Sequence, residues 1–363
     1  MVLTQRFARA MAQSMQARIQ ACALDLRGAT VATECANGAY AATAAAAVAT
    51  GARVFAFARD SRYATADQAA ADVMSLVGAL GCDPSNLHIV RDRDHIPWSA
   101  VDLVTNSGHL RPLDAALINE LPAHAVIALM FEPWELRDGD IDIDAARRRG
   151  IAVLGVDEHH PACGAFEFVG LLAVSEVLRE PWSLHGARVA VLGDAAFVAP
   201  VARALHNMNA TAIAIVPDSG LHGGDVPPCP VVTASQLAQA AVAPCELAIV
   251  CATPPSVLLA TGRSGWSVGG LSAAVAQTGC YGAIQLWGDL DREQLADLGV
   301  SVRPSRPPAP GHQGVAMSAA GPEPVIRLQI AGLAAAWHGR TQAQPPPELA
   351  GLAWPVGQAR RGI

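Results

Sequence analysis

A chain of 363 residues is long enough for two domains with separate cores. Hydrophobic residues make up 52% and charged residues 16%, and 25 basic against 32 acidic residues leave a net charge of −7, without the basic excess that a phosphate backbone requires. Nucleic acid is not an expected partner. All the basic residues are arginine, and the absence of lysine excludes Schiff-base catalysis, P-loop phosphate binding and lysine acid/base chemistry.

The eight cysteines stand at 22, 35, 82, 163, 229, 245, 251 and 280, with no CxxC pair and no matching histidine spacing for zinc. They read as buried free thiols in a reducing, cytoplasmic compartment, and no metal is expected. The opening stretch MVLTQRFARAMAQSMQARIQ has arginines throughout, so an amphipathic helix is expected rather than a secretory signal. Ala41 to Ala49 is apolar but much shorter than the roughly 20 residues of a bilayer span. No membrane segment is expected.

From Leu26 the chain alternates β-branched runs with alanine-rich helical stretches, the pattern of parallel α/β sheets. ATVAT, RVFAFA, LHIV, DLVTN, AVIALMF and IAVLGV read as strands of a first sheet. ANGAYAATAAAAVATGA, ADQAAADVMSLVGALG and DIDIDAARRRG read as its helices. A helix near Gly164 to Leu178 and the break REPWSLHGA lead into a second series, with strands RVAVLG, ATAIAIV, ELAIVCA and GAIQLWG. The expected architecture is two Rossmann-like α/β domains with parallel sheets. The first covers 1–163 and is discontinuous, completed by a helix within 319–340; the second covers 164–318. Residues 341–363, proline-rich and without periodicity, read as a mobile or loosely docked tail. Apolar helices such as LQIAGLAAAW leave room for a homodimer.

RVAVLGDAAFVAPVARAL passes from strand through a turn into a helix, where a dinucleotide-binding unit carries three glycines. Here the pattern is G-x-A-x-x-V: Gly193 in the first place, Ala195 in the second and Val198 in the third, with Asp194 between the first two. The next strand ends at Pro217 and Asp218, where an acid takes the ribose hydroxyls of NAD. Two readings of Asp218 stand at this point, a ribose acid or a solvated turn residue in PDSG.

Read together, DIDIDAARRRGIAVLGVDEHHPACGAFEFVGLLAVSEVL and GARVAVLGDAAFVAPVARAL resemble the middle of the D-2-hydroxyacid dehydrogenase family. ELAIVCATPP resembles the strand that ends beside the nicotinamide, GAIQLWGDLDREQL the strand after it, and PAPGHQGVAMSAAGPEP the segment with the catalytic histidine. The resemblance implies an NAD cofactor, with Gly193, Asp194, Ala195, Asp218, Cys251, Thr253, Pro254 and Asp289 around it, and His312 as the acid/base for a substrate hydroxyl. Where the family has an arginine for the substrate carboxylate, this chain reads Trp287, Gly288, Asp289. ATECANGAYAATAAAAVATGARVFA is also similar to S-adenosylhomocysteine hydrolase, whose catalytic lysine is absent here.

Four loops at strand ends could carry chemistry. NSGHLRP offers Asn106, Ser107, His109 and Arg111, and Arg111 could hold a carboxylate. FEPWELRDGD places Glu132 and Glu135 beside Trp134 after a very apolar strand, and two readings stand: a carboxyl whose pKa is raised for general acid/base work, or a surface turn with its acids solvated. VDEHHP places Glu158, His159 and His160 near the domain junction. The fourth group is Cys251, Thr253, Asp289 and His312. The expected function is an NAD(H)-dependent oxidoreductase of the D-2-hydroxyacid dehydrogenase type, acting on a small carboxylate-bearing substrate with His312, Arg111 and Glu135 as catalytic candidates. The rival is a non-redox enzyme or binding protein on the same scaffold with a degenerate dinucleotide site.

Overall fold

The computed structural model describes residues 3–193, 195–220, 225–239, 243–253, 265–340 and 345–357. The chain divides into two units. The first runs up to Ala165 and resumes at Gly321; the second is Phe166–Ala320.

The first unit opens with α1 (Gln5–Ala21), capped by the Thr4 hydroxyl, which accepts the Phe7 N–H. Its Ala8, Met11, Ala12 and Met15 are buried at helical spacing. The strands are β1 (Thr30–Glu34), β2 (Arg53–Phe57), β3 (Leu87–Val90), β4 (Leu103–Thr105), β5 (Val126–Ala128) and β6 (Ala152–Val156). Between them run α2 (Ala42–Ala49), α3 (Ala66–Ala79), α4 (Ala115–Glu120) and α5 (Ile143–Arg149). Thr65 and Gln68 cap α3 reciprocally, and Gly150 closes α5 in the left-handed conformation at φ 68°. Strands β4 and β5 are buried along their whole length, as covering helices on both faces of a parallel sheet require.

The second unit contains α6 (Val169–Val177), β7 (Arg188–Gly193), α7 (Ala195–Asn207), β8 (Thr211–Val216), β9 (Val231–Thr233) and α8 (Ala234–Gln239). It continues with β10 (Leu247–Cys251), α9 (Val268–Gln277), β11 (Gly282–Trp287), α10 (Arg292–Asp297) and β12 (Ser301–Arg303). The chain returns to the first unit through α11 (Pro322–Arg340), which is buried from Pro324 to Ala336 along its inner face and packs on α1, α2, β5 and β6. The first domain is therefore discontinuous. The apolar stretch LQIAGLAAAW belongs to its core, so intrachain burial accounts for its apolarity without a second copy.

One expectation differs from the structure. Residues 345–357 do not trail from the fold: β13 (Ala353–Pro355) pairs antiparallel with β6, and Leu349 and Leu352 are buried. Two leucines and a three-residue edge strand are too short a signal to show as periodicity. Residues 341–344 and 358–363 lie outside the described residues.

The seven-stranded sheet has the order β13-β6-β5-β4-β1-β2-β3 and the six-stranded sheet β12-β11-β10-β7-β8-β9. Apart from β13 every pairing is parallel. Both sheets are thus doubly wound in the order 3-2-1-4-5-6, with the reversal between β1 and β4 in one and between β7 and β10 in the other. Outside the carboxyl ends of those strands the crossovers part on either side, and a ligand crevice is expected there.

Candidate functional sites at the carboxyl ends of the two sheets

In the second unit β7 ends at Gly193. A Cβ there would stand 2.6 Å from the Cys251 carbonyl oxygen and 2.9 Å from its Sγ, so the glycine is required by the close approach of β7 to β10. The Cys251 side chain is fully buried in this contact. Asp194 and Pro254 lie outside the described residues, and of Ala195 only the backbone, which opens α7, is described. Val198 is fully buried. The tight helix contact is made instead by Gly170 on α6, where a Cβ would stand 2.2 Å from the Pro200 carbonyl oxygen on α7.

Above the strand ends lies an aromatic stack. Phe197 is parallel to Trp287 with ring centroids 4.8 Å apart, and Phe166 meets Phe197 edge-on at 4.8 Å. Trp287 ends β11 with 1% exposure, so the residue beside the missing arginine is a core residue. Asp218 follows β8 and is exposed. One carboxylate oxygen accepts the Ser235 N–H at 2.9 Å and the other the Ser235 hydroxyl at 2.6 Å, and these bonds hold its carboxyl below the usual range. Asp289 accepts the Gly311 N–H at 2.9 and 3.2 Å and so anchors the loop that carries His312. The half-buried His312 is bonded through Nδ1 to the Pro310 carbonyl at 2.8 Å. A carbonyl only accepts, so Nδ1 carries the proton and Nε2 the lone pair in the neutral ring. Thr253 and Asp289 also border a narrow surface recess lined by Ala252, Trp266, Val268, Leu271 and Gly288.

The first unit ends its strands differently. Glu34 ends β1, accepts the His109 N–H at 3.2 Å, and has its carboxyl pushed up by burial. After β4, Thr105 Oγ1 donates to Thr33 Oγ1 at 2.8 Å and lies 2.7 Å from Ser107 Oγ. Asn106 is fully buried with neither side-chain polar atom hydrogen-bonded among the described residues. Arg111 lies 3.4 Å from Asp140, donates from Nη2 to the Asn106 carbonyl at 3.3 Å, and stands 6.0 Å from the Phe131 ring centre. Burial lowers its pKa, and its Nε has no hydrogen-bond partner among the described residues.

After β5 and β6 three glutamates converge. Glu132 accepts the Glu158 N–H at 3.1 Å through Oε1 and the Trp134 indole N–H through Oε2. The Glu135 and Glu158 carboxyls lie within hydrogen-bond reach of each other, a bond that forms only when one of them is protonated. Burial, opposed by that bond and by Arg137, pushes Glu135 up to about 7. Glu158 is raised well above the usual range by burial first and then by Glu135 and Glu132. Glu132 and Glu158 are only 3% and 2% exposed, whereas Glu135 is half-buried.

The structure therefore gathers Glu132, Glu135 and Glu158 from two loops that α5 and β6 separate along the chain. Arg111 belongs with Glu34 and Asn106 in the first unit; Asp218, Asp289 and His312 belong to the second. Sequence reading missed Glu34, whose signal was an acid ending the strand TVATE, and Gly170, a small residue in an otherwise bulky apolar helix. Among the described residues no group of three or more His, Cys, Asp or Glu could hold a metal, and no helix is long and apolar enough to cross a membrane.

No protein-family model matches the sequence, and no match was found among curated proteins. Solved structures do match. One polypeptide of the dipicolinate synthase of Bacillus halodurans aligns at 13% identity over 85% of this chain and 97% of its own, with a TM-score of 0.55. Its counterpart from Bacillus subtilis aligns at 13% identity over 88% and 99%, also at 0.55. An NADPH-dependent glyoxylate/hydroxypyruvate reductase from Sinorhizobium meliloti aligns at 13% identity over 88% and 97%, at 0.46. The chain shares the fold of the two dipicolinate synthase polypeptides, with two Rossmann-like α/β units built on parallel sheets. Likeness at this level of identity concerns the fold and assigns no activity.

Proposed function

We propose that the protein is a nicotinamide-dinucleotide-dependent oxidoreductase acting on a small carboxylate-bearing substrate. One observation carries the reading: in the second sheet the strand flanking the reversal ends in a glycine before a helix N-terminus, and the next strand ends in an exposed carboxylate, Asp218. The residues fit the cofactor. Helix α7 offers its N-terminal amides to a pyrophosphate, and each Asp218 oxygen, although bonded to Ser235, keeps a lone pair for a ribose hydroxyl.

A bound nicotinamide would supply the two-electron carrier, taking a hydride from the substrate's carbinol carbon. The His312 Nε2 lone pair would take the hydroxyl proton, so that alcohol becomes carbonyl and the histidine becomes imidazolium. Among the arginines, Arg111 is the proposed anion contact: with only the Asn106 carbonyl and Asp140 as partners, its guanidinium keeps N–H donors to offer. Calorimetric titration with NAD(H) and NADP(H) tests the reading. Binding of NAD(H) is expected, and no binding of either at millimolar concentration would remove it.

A second reading is favoured by the paired carboxyls of the first unit: a non-redox enzyme whose proton chemistry resides in Glu135 and Glu158, with the second unit retained as scaffold. Saturable binding of small carboxylates with no response to either dinucleotide would select it.

A further inference from the structure

The loop from Pro304 to Gly314 carries His312, contains no helix or strand, and exposes Ser305, Arg306 and Pro307 to solvent. A loop of this kind does not fix a side chain by itself, because ordering it costs conformational entropy that its few contacts must offset. The ring of His312 depends on the loop's own backbone: Nδ1 donates to the Pro310 carbonyl at 2.8 Å, and the His312 N–H donates to the Ala309 carbonyl at 3.0 Å. Three ties hold that backbone from outside. Gly311 N–H donates to Asp289 at 2.9 and 3.2 Å, and Gly314 N–H donates to the Leu286 carbonyl at 2.8 Å. At Gly314 a Cβ would stand 2.2 Å from the Gln285 carbonyl oxygen, so this end of the loop lies directly on β11. The other end is held by Arg292, whose Nη1 donates to the Pro304 carbonyl at 2.6 Å.

Arg292 opens α10, and its guanidinium is aimed by Gln285, a β11 residue with 3% exposure. Gln285 Oε1 accepts Arg292 Nε at 2.9 Å and Nη2 at 2.5 Å, while Gln285 Nε2 donates to the Gly288 carbonyl at 2.6 Å. Gly288 has φ 97°, in the region that favours glycine, and it leads directly into Asp289. One buried amide thus reaches the loop from two sides: through Arg292 to Pro304, and through Gly288 and Asp289 to Gly311. Three guanidinium donors are spread over two acceptors, a fork that a single ammonium does not reproduce.

We propose that Gln285 and Arg292 are positioning residues for His312: together they clamp the loop 304–314 so that the ring keeps its Nδ1 proton on the Pro310 carbonyl and presents the Nε2 lone pair. An acid/base group acts only from a held geometry, and the nitrogen that carries the proton is set by the bond the ring makes. A histidine released into water exchanges between both tautomers and favours the Nε2–H form. The consequence for turnover rests on the reading of His312 as the acid/base; the hold on the loop and its ring does not.

Nitrogen-15 NMR of the intact protein labelled in histidine reads the tautomer at about pH 9, above the range in which imidazoles ordinarily titrate. The His312 signals are identified by their loss in His312→Gln, and hydrogen–deuterium exchange of peptides covering 304–316 reads the hold on the loop. The wild type is expected in the Nδ1–H form. Arg292→Ala should return His312 to the solution mixture dominated by Nε2–H and speed exchange of the loop amides about tenfold or more, while peptides covering β7 and β8 keep their protection. Arg292→Lys should rescue neither readout, and Arg306→Ala, which removes an exposed arginine from the loop itself, should leave both in place. Gln285→Ala should reproduce Arg292→Ala; should that buried change prevent folding, the Arg292 variants decide. A wild type in the Nε2–H form overturns the clamp, as does an Arg292→Ala protein with wild-type tautomer and exchange, or an equal change in Arg306→Ala. With hydroxy-acid turnover in the wild type, Arg292→Ala should lower kcat about tenfold or more while NAD(H) affinity stays within about twofold. A shifted tautomer with unchanged kcat upholds the clamp and removes instead the reading of His312 as the acid/base.

Discussion

The two sheets share one strand order and differ at the edge where ligands are expected. In the first unit the ends of β1, β4, β5 and β6 are followed by Glu34, Asn106, Glu132 and Glu158, several of them buried with unmatched polar atoms. In the second the ends of β7, β10 and β11 are Gly193, Cys251 and Trp287, with Phe197 stacked on Trp287. Its polar groups, Asp218, Asp289 and His312, stand at the rim. Topology creates a crevice in either case, but the residues at each strand end decide whether buried carboxyls or small and aromatic side chains form its floor. The first edge is polar at an energetic cost, since a buried unpaired polar atom is worth roughly 1–3 kcal/mol of lost stability. The second edge carries that cost as well, at the buried indole N–H groups of Trp287 and Trp266, but sets it against the stacked ring area.

That contrast can be broken most directly at Trp287. Replacing it by alanine should cost about 3–5 kcal/mol in urea unfolding, because a fully buried ring loses both its stack and its space. A loss below about 1 kcal/mol would mean that the aromatic edge is not core. Gly193→Ala should cost about 1–3 kcal/mol by forcing β7 away from β10, whether or not a cofactor is present.

The first edge is tested by pH. Glu135 is raised to about 7, so between the ordinary carboxylate range and neutrality the folded protein holds more protons than the unfolded chain. This contribution should therefore be fully present below the ordinary value of 4.5, decline as pH rises above it, and be lost once pH passes about 7. The melting temperature followed from pH 5 to pH 8 should show this decline, and Glu135→Gln should flatten it. Smaller effects belong to the rim of the second edge. Asp218→Asn should weaken NAD(H) about tenfold by calorimetry, as loss of a charged hydrogen bond does, and spare NADP(H). His312→Ala should shift stability by less than about 0.5 kcal/mol while abolishing any hydroxy-acid turnover.

Much of the fold was legible in the chain because its signals are local. LHIV, ATAIAIV and ADQAAADVMSLVGA each announce their element by composition or period, and the discontinuous first domain follows from one apolar helix after the second series. The site was legible only in pieces. Glu135 and Glu158 stood out as acids after apolar strands, but nothing in either loop says that β5 and β6 are neighbours. Gly193 was visible as a turn glycine, whereas its contact with Cys251 depends on the pairing of β7 with β10.

The sequence by itself determined two parallel α/β units, the exclusion of lysine chemistry and the set of acids, histidines and arginines from which any site must be built, because period, composition and residue type are properties of short stretches. Tertiary structure alone decided that the acids after β5 and β6 come together, that Trp287 fills the core where the resemblance expected an arginine nearby, and that the proline-rich end supplies an edge strand. Each of these depends on which strands lie side by side, and strand adjacency in a doubly wound sheet is set by crossovers that no local pattern encodes.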